Sequence, residues 1–343
     1  MSAERDPTIS DVARKAGVSK SLVSLVMRGG RHVSAARREA VLRAAEELGY
    51  RPNAMARGLV QRRSGFLGVM VSDLHNPFFA DVVDGIQGQA ARAGYRVLVN
   101  TGNRSMEAEA EAVETLLQLR ADGVILAGPL VDNGTIVAAS RAVPVVVVGR
   151  AARSESVDSV TNDDCAGAEI AVEHCASLGH LRIAHIDGGR GAGASDRCRG
   201  YETAMRRLRL ARHIQVMTGT YTEAGGHAGA MALLDRRPRP TAIFAANDVA
   251  AIGALNAIEE RGLRVPEDVS LVGYDNTSLA ALRHISLTTI HQPRLEMGQL
   301  AVSTLLERIE LKRTQPRRAV LSPTLVVRGT TAPPGARPSR GRR

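Results

Sequence analysis

Two residues near the start of the chain carry chemistry that can be named at once. Lys20 and Ser21 stand side by side in the stretch T-I-S-D-V-A-R-K-A-G-V-S-K-S-L-V-S-L at residues 8–25. A lysine ammonium suits guanine O6/N7 or a phosphate, and a serine hydroxyl can donate or accept at a base edge. The elements that must position them are also legible. Thr8 reads as an N-cap with Asp11 reaching back to its amide, a capping box with Asp in place of Glu. Ile9, Val12, Ala13 and Ala16 fall on one helical face, and Gly17 supplies a left-handed residue to end the helix. Ser19 caps a second helix that carries Val23 and Val26 inward. Two short helices about a tight turn form a helix-turn-helix, whose second helix enters the DNA major groove with its first residues towards the bases. An ordinary helical hairpin packed in a core is the alternative; the basic surroundings favour DNA.

Other reactive residue types form no constellation. Nine histidines show no metal-ligand spacing; His180 in L-G-H-L-R-I-A and His291 in T-I-H-Q-P read as packing or hydrogen-bonding residues. Cys165, Cys175 and Cys198 offer neither a CxxC pair nor an even disulfide framework, and are expected to be small buried hydrophobes in a reducing cytoplasm. The run G-G-R-G-A-G at 188–193 lacks both the dinucleotide and the Walker spacing and is expected to be a flexible pocket loop. With no nucleotide loop, activated nucleophile or metal cluster, a kinase or dehydrogenase on a doubly wound fold is disfavoured, and no cofactor or metal is expected.

Charge divides the chain. Residues 1–63 hold 13 Lys/Arg against 6 Asp/Glu, and the tail from 332 to 343 adds four arginines and no acid. The whole chain is +10, so everything between is close to neutral. A basic head on a neutral body suggests a polyanion-binding module joined to something that handles small molecules or partners. At 343 residues, two or three units are expected, with a core of Val, Leu, Ile and Ala, since aromatics are 3% and Trp is absent. The first residues lack an apolar h-region and no run approaches ~18 apolar residues, so neither export nor a membrane span is expected.

After the helix-turn-helix, R-G-G-R-H-V at 28–33 is a loop, and Ser34 caps a third helix to about Leu48 with Val41, Leu42, Ala45 and Leu48 as its apolar stripe. Gly49 ends it. Asn53 can cap a short segment over 54–60, too short to be stable alone, and 61–65 reads as a linker. From Phe66 short apolar runs (66–71, 96–100, 123–127, 145–148, 182–186, 242–245, 270–272) alternate with helix-like stretches (80–92, 106–119, 166–178, 196–208, 224–234, 249–261, 293–311). That pattern means parallel sheets covered on both faces, and its length favours two doubly wound subdomains with a ligand between them at the strands' carboxyl ends. The tail at 332–343, rich in Pro, Gly and Arg, is expected to be disordered.

The opening motif closely resembles the head of the LacI/GalR family of bacterial transcriptional regulators. So do V-S-A-A-R-R-E-A-V, E-L-G-Y-R-P-N-A-M-A-R-G-L, N-P-F-F-A-D-V-V-D-G-I, A-A-N-D-V-A-A-I-G-A, L-R-V-P-E-D-V-S-L-V-G-Y-D-N and L-T-T-I-H-Q-P, in family order from about Thr8 to Thr330. The resemblance implies a homodimer with an all-α head (1–53), a hinge helix and linker (54–63) and a core like periplasmic sugar-binding proteins (64–331). The core chain would cross three times, making the subdomains 64–162 plus about 292–322, and about 163–291 plus 323–331. A solute-binding protein sharing only that core is the rival reading, disfavoured by the basic head.

The resemblance also implies sites. Lys20 and Ser21 match base-contacting positions; Ser19 and Ser24 suit phosphate contact, with Arg28 beside them. Leu22 and Leu25 depart from the polar residues many members carry and are expected either to touch thymine methyls or to pack in the core or dimer. Leu59 matches the hinge leucine that wedges into the minor groove, accompanied by Arg57, with Asn53 capping the hinge. For a small polar effector, a sugar first and a purine or nucleoside next, the matching positions are Asp73, Phe78, Phe79, Arg197, Tyr221, Asn247 and Asp275. Asp163 joins them, although the match at T-N-D-D-C admits a shift of one residue. Arg197 would supply planar bidentate donors, Asp275 and Asn247 would meet vicinal hydroxyls, and Phe79 and Tyr221 would offer ring faces. The expected function is a ligand-regulated repressor on a pseudo-palindromic operator.

Overall fold

The computed structural model describes residues 7–27, 29–30, 32–51 and 63–335, in two units that divide at Ser64. In the first, three helices pack together: α1 (Ile9–Lys15), α2 (Lys20–Met27) and α3 (Ala35–Glu47). Asp11 Oδ2 accepts from the Thr8 amide at 2.9 Å and from the Thr8 hydroxyl at 2.6 Å, so the carboxylate fastens the start of α1. Gly17 turns the chain at φ +64°, a conformation that costs a β-carbon-bearing residue about 1–2 kcal/mol. Val12, Ala13, Val23, Val26, Val41, Ala44 and Ala45 form a small shared core, with Leu48 against it. Leu42, one step round α3 from Val41, is 48% exposed, so the buried stripe runs through Ala44 instead. Ser34 stands at the N-cap of α3 without a capping bond from its hydroxyl.

The second unit holds two six-stranded sheets. The first contains β1 (Phe66–Val71), β2 (Arg96–Thr101), β3 (Gly123–Ala127), β4 (Val145–Val148), β5 (Val157–Asn162) and β11 (Arg318–Leu321), all parallel, in the order β11-β5-β4-β3-β1-β2. The second contains β6 (Ile183–Ile186), β7 (Gln215–Met217), β8 (Ala242–Ala245), β9 (Ser270–Asp275), β10 (Thr288–His291) and β12 (Thr324–Val326), in the order β12-β10-β9-β8-β6-β7. Only the edge strand β12 runs antiparallel, beside β10. Helices α4 (Pro77–Arg92), α5 (Met106–Gln118) and α6 (Asn133–Ala142) follow β1, β2 and β3. Around the second sheet lie α7 (Asp164–Ser177), α8 (Ala194–Arg207), α9 (Glu223–Leu234) and α10 (Asp248–Glu260), and α11 (Arg294–Glu310) returns to the first. The chain thus passes between the sheets after Asn162, after His291 and after Leu321. Strands with every residue buried, such as Val145–Val148, follow from helices on both faces of each sheet.

Two devices lock the late-arriving segment onto the first sheet. Helices α4 and α11 cross at Gly85 and Gly298, where an added β-carbon would strike the Leu295 or Val82 carbonyl oxygen. Asp81 pairs with Arg294 at 2.7 Å and Gln89 donates to Ser303 at 3.1 Å beside that crossing. Asp158, wholly buried on β5, accepts from Arg308 (2.7 and 3.0 Å), from Arg313 (2.8 and 3.2 Å) and from the Arg317 amide (2.6 Å). Burial works to raise its carboxyl, and the two guanidiniums more than offset this, holding it below the ordinary value. A carboxyl depressed by folding stabilises the protein above its unfolded value of about 3.9, and that contribution disappears as pH falls through the folded value. Asp158→Asn is therefore expected to cost about 2 kcal/mol near neutral pH. In urea titrations its deficit against the native chain should shrink when the pH is lowered to about 3; a deficit independent of pH would contradict the assignment.

Candidate functional site

Where the two sheets face each other with their carboxyl ends, the loops enclose a cleft of about 550 Å³. Ser72 and Asp73 follow β1, Gly128 follows β3, Gly149 follows β4 and Gly188–Ala192 follows β6. Thr220 and Tyr221 follow β7, Asn247 follows β8, Asp275 ends β9 and Gln292 follows β10. Residues from 72 to 292 meet there because parallel strands point all these loops the same way.

Arg197 is the buried centre of one wall. Its Nε donates to Asp164 Oδ1 at 2.9 Å and its Nη1 donates to the Ala246 carbonyl. Its carbon Cζ lies 3.8 Å from the centre of the Tyr274 ring and 5.3 Å from that of Tyr221. Asp275 Oδ1 lies 3.8 Å from Nη1. The expected bidentate fork is therefore largely engaged by the protein, and Nη2 alone lacks a bond among the described residues. Burial opposes the charge on Arg197, while Asp164 beside it holds the guanidinium well above its ordinary value. Burial likewise pushes Asp164 up against the pull of Arg197.

Asp275 adopts φ +108° and Asn276 φ +55°, so the end of β9 turns sharply into the cleft through two residues that carry β-carbons. Gln292 donates to Asp275 Oδ1 at 2.6 Å. Burial raises the Asp275 carboxyl to about 7 against the pull of Arg197.

The other expected positions divide. Phe78 and Phe79 meet edge to face at 5.1 Å and both line the cleft, Asn76 capping their helix through the Phe78 amide at 3.0 Å. The Phe79 ring lies under Gly128, leaving no room there for a β-carbon. The Tyr221 hydroxyl donates to the Ala192 carbonyl at 2.8 Å, and its ring fills the space beside Gly188 and Gly191, so the glycine loop is a seat for the tyrosine. Asn247 lines the cleft, but its Oδ1 caps α10 through the Ala250 amide at 2.8 Å and its Nδ2 donates to the Tyr221 carbonyl at 3.5 Å, leaving the second Nδ2 hydrogen. Asp73 accepts from the His75 amide at 2.8 Å.

Asp163 is a correction. It is exposed, caps α7 through the Ala166 amide at 3.0 Å and does not line the cleft. The side chain one residue on, Asp164, turns inward to Arg197, because a cap must face its helix's first turn while the next residue enters the helix. Glu109 was missed altogether. Fully buried on α5, it accepts from Ser72 Oγ (2.6 Å) and the amides of Leu130 (2.6 Å) and Val131 (2.9 Å), fixing the loops after β1 and β3 together. Nothing in M-E-A-E-A-E-A-V-E marks it among the neighbouring glutamates. Among the cysteines only Cys175 is fully buried; Cys165 and Cys198 are half-buried, and all three are free.

In the first unit, Ser19, Lys20 and Ser21 are exposed at the start of α2, with the Leu22 amide donating to Ser19 Oγ at 3.2 Å. Leu22, Ser24 and Leu25 are half-buried, and Leu25 lies over Gly30 so closely that a β-carbon there would clash, which is a packing role. Arg28, Asn53, Arg57 and Leu59 lie outside the described residues.

Comparison with known proteins gives two family matches: residues 8–53 with bacterial regulatory proteins of the lacI family, and residues 172–331 with a periplasmic binding protein-like domain. The ribose operon repressor of Haemophilus influenzae is 34% identical over 94% of this chain and 97% of its own. The transcriptional repressor PurR of Vibrio vulnificus is likewise 34% identical, over 94% and 98%. Among solved structures, a lac repressor dimer bound to operator and an anti-inducer matches at TM-score 0.84 and 34% identity, covering 96% of this chain and all of that one. With a helix-turn-helix in its first unit and two facing parallel sheets in its second, this chain belongs to the lacI family of bacterial regulatory proteins.

Proposed function

We propose that the chain is a repressor that binds a pseudo-palindromic operator as a homodimer and is controlled by a small polyhydroxylated ring, a sugar, held in the cleft. Lys20 and Ser21 contact bases, and Ser19 and Ser24 contact phosphates. The observation that carries the effector reading is the convergence of Asp73, Phe78, Phe79, Arg197, Tyr221, Asn247 and Asp275 on one cleft from loops spread over two hundred residues. A sugar is favoured over a purine because Phe78 and Phe79 meet as a T and are under 10% exposed, offering no open pair of faces between which a flat base could stack. Carboxylate, amide and guanidinium groups suit hydroxyls. Ligand that prefers one arrangement of the two subdomains shifts DNA affinity, and by linkage DNA shifts ligand affinity by the same factor.

Calorimetric titration with pentoses, hexoses, nucleosides and purines tests this. A sugar is expected to bind, and exclusive binding of a purine would overturn the choice. The titration also has a pH signature. The ionised Asp275 carboxylate accepts from a sugar hydroxyl more strongly than the neutral acid does, so affinity should fall as pH drops below about 7, by at most about tenfold per unit. Affinity flat between about pH 5 and 8 would rule out a charge-assisted contact at Asp275.

A further inference from the structure

The second unit carries a basic pole that neither the cleft nor the reading helix uses. Strands β8, β6 and β7 are neighbours in the second sheet and run parallel, so the connections that enter them arrive at the same end. That end is opposite the cleft. Adjacent strands are about 4.8 Å apart, so the three connections lie within roughly 10 Å of one another. Residues 178–182, 205–217 and 234–241, which make up these connections and their flanks, hold eight arginines and one aspartate. Seven of these arginines are exposed; Arg182 is half-buried, its Nε donating to the Arg239 carbonyl at 2.8 Å, which holds two of the connections together.

Few of these charges are neutralised nearby. Arg206 pairs with Glu202, Arg207 with Glu169 and Glu173, and Asp235 with Arg261. Arg182, Arg209, Arg212, Arg236, Arg237 and Arg239 meet no carboxylate among the described residues. Residues 332–334 pack at the same end: His180 bonds the Ala332 carbonyl at 2.8 Å, and Pro334 lies against Gly179. Taking away residues 1–63, these three connections and the tail leaves 20 Lys/Arg against 28 Asp/Glu. The remainder of the chain is therefore acidic, which sets the three connections apart as a basic pole.

We infer that this pole, formed by Arg209, Arg212, Arg236, Arg237 and Arg239, is a second, sequence-independent binding surface for the phosphate backbone of duplex DNA. Guanidiniums pair with phosphates in planar, bidentate fashion, and each phosphate neutralised releases condensed counterions. The three connections contain no Phe, Tyr or Trp. They thus lack the rings on which unstacked bases sit in single-strand binders, which points to the intact duplex. A regulator so equipped holds its operator through α2 and gathers any neighbouring duplex through the pole.

The test uses the full-length chain and a fluorescent random-sequence 24-base-pair duplex, with anisotropy followed over a range of salt. The compared proteins are the native chain, a variant carrying Arg209→Gln, Arg212→Gln, Arg237→Gln and Arg239→Gln, and Lys20→Ala. These are exposed side chains in connections, and an unchanged melting temperature confirms that the variant folds. The pole variant is expected to bind at least tenfold more weakly at low salt, with a slope of log affinity against log salt shallower by about 2–4, at about 0.9 per lost phosphate contact. Native affinity and slope in the pole variant, with loss only in Lys20→Ala, would overturn the inference while leaving the head's role intact. Anionic phosphatidylserine vesicles are the other arm: loss of vesicle binding with duplex binding unchanged would also overturn it and make the pole a membrane contact.

Discussion

Replacing Arg197 with methionine is expected to destabilise the protein by about 3–5 kcal/mol and to abolish the response to effector. The residue is 4% exposed, and its removal leaves Asp164 buried without the cation that neutralises it at 2.9 Å. The Ala246 carbonyl loses its donor and the face of Tyr274 loses the cation above it. The larger part of the cost is the stranded carboxylate rather than the lost attraction, since a buried pair broken on one side is worse than no pair. The double variant Asp164→Asn/Arg197→Met should therefore recover at least half of the stability while remaining unable to bind effector. Urea midpoints give the first quantity and calorimetry the second. A single variant costing under about 1 kcal/mol, or a double variant no better than the single, would refute the account.

The second large effect concerns the crossing of α4 and α11. Gly298→Ala is expected to cost about 2–3 kcal/mol, although alanine is the better helix former by about 1 kcal/mol, because its β-carbon meets the Val82 carbonyl. A backbone oxygen cannot swing aside as a side chain can, so the helices must separate and open the core around Met297, Ala301 and Val302. Gly88, one turn beyond Gly85 on α4, provides the control: beyond its own helix backbone and chain neighbours, no atom lies within 4 Å of its would-be β-carbon. Gly88→Ala should stabilise by about 0.5–1 kcal/mol. Opposite signs in thermal melts of the two variants identify contact, rather than glycine content, as the cause.

The legible parts of the molecule were those where local chemistry and burial agree. The helix-turn-helix was visible because its cap, turn glycine and inward valines occur within eighteen residues. Seven cleft positions were visible as matches to a familiar order of motifs. Strands were legible where they are apolar throughout and not where buried polar groups have partners far along the chain. V-D-S-V-T-N, the fifth strand, falls outside the apolar runs because Asp158 and its polar neighbours interrupt it, and Arg308 and Arg313 neutralise Asp158 from far along the chain. T-T-I-H, the tenth, hides threonines that Asp248 and Thr330 satisfy. Helix α6 begins with Asn-Gly, a turn signal that the Asp132 cap overrides through the Thr135 amide at 2.8 Å. Asp163 and Asp164 have the same local signature, and only the phase of α7 separates a surface cap from the partner of Arg197.

The three passages between sheets also govern how the protein is made. The first five strands leave the ribosome together, but the helix that covers one of their faces, α11, begins only at Arg294 and β11 only at Arg318. At roughly 5–20 residues per second, the 131 residues from 163 to 293 take on the order of ten seconds. For that interval Leu67, Val69 and Ile125 lack the Met297, Ala301 and Leu305 that belong against them. The half of the core that is synthesised first can be completed only after most of its companion exists. Chaperone demand during synthesis should therefore peak between those two points and fall once Glu310 has emerged.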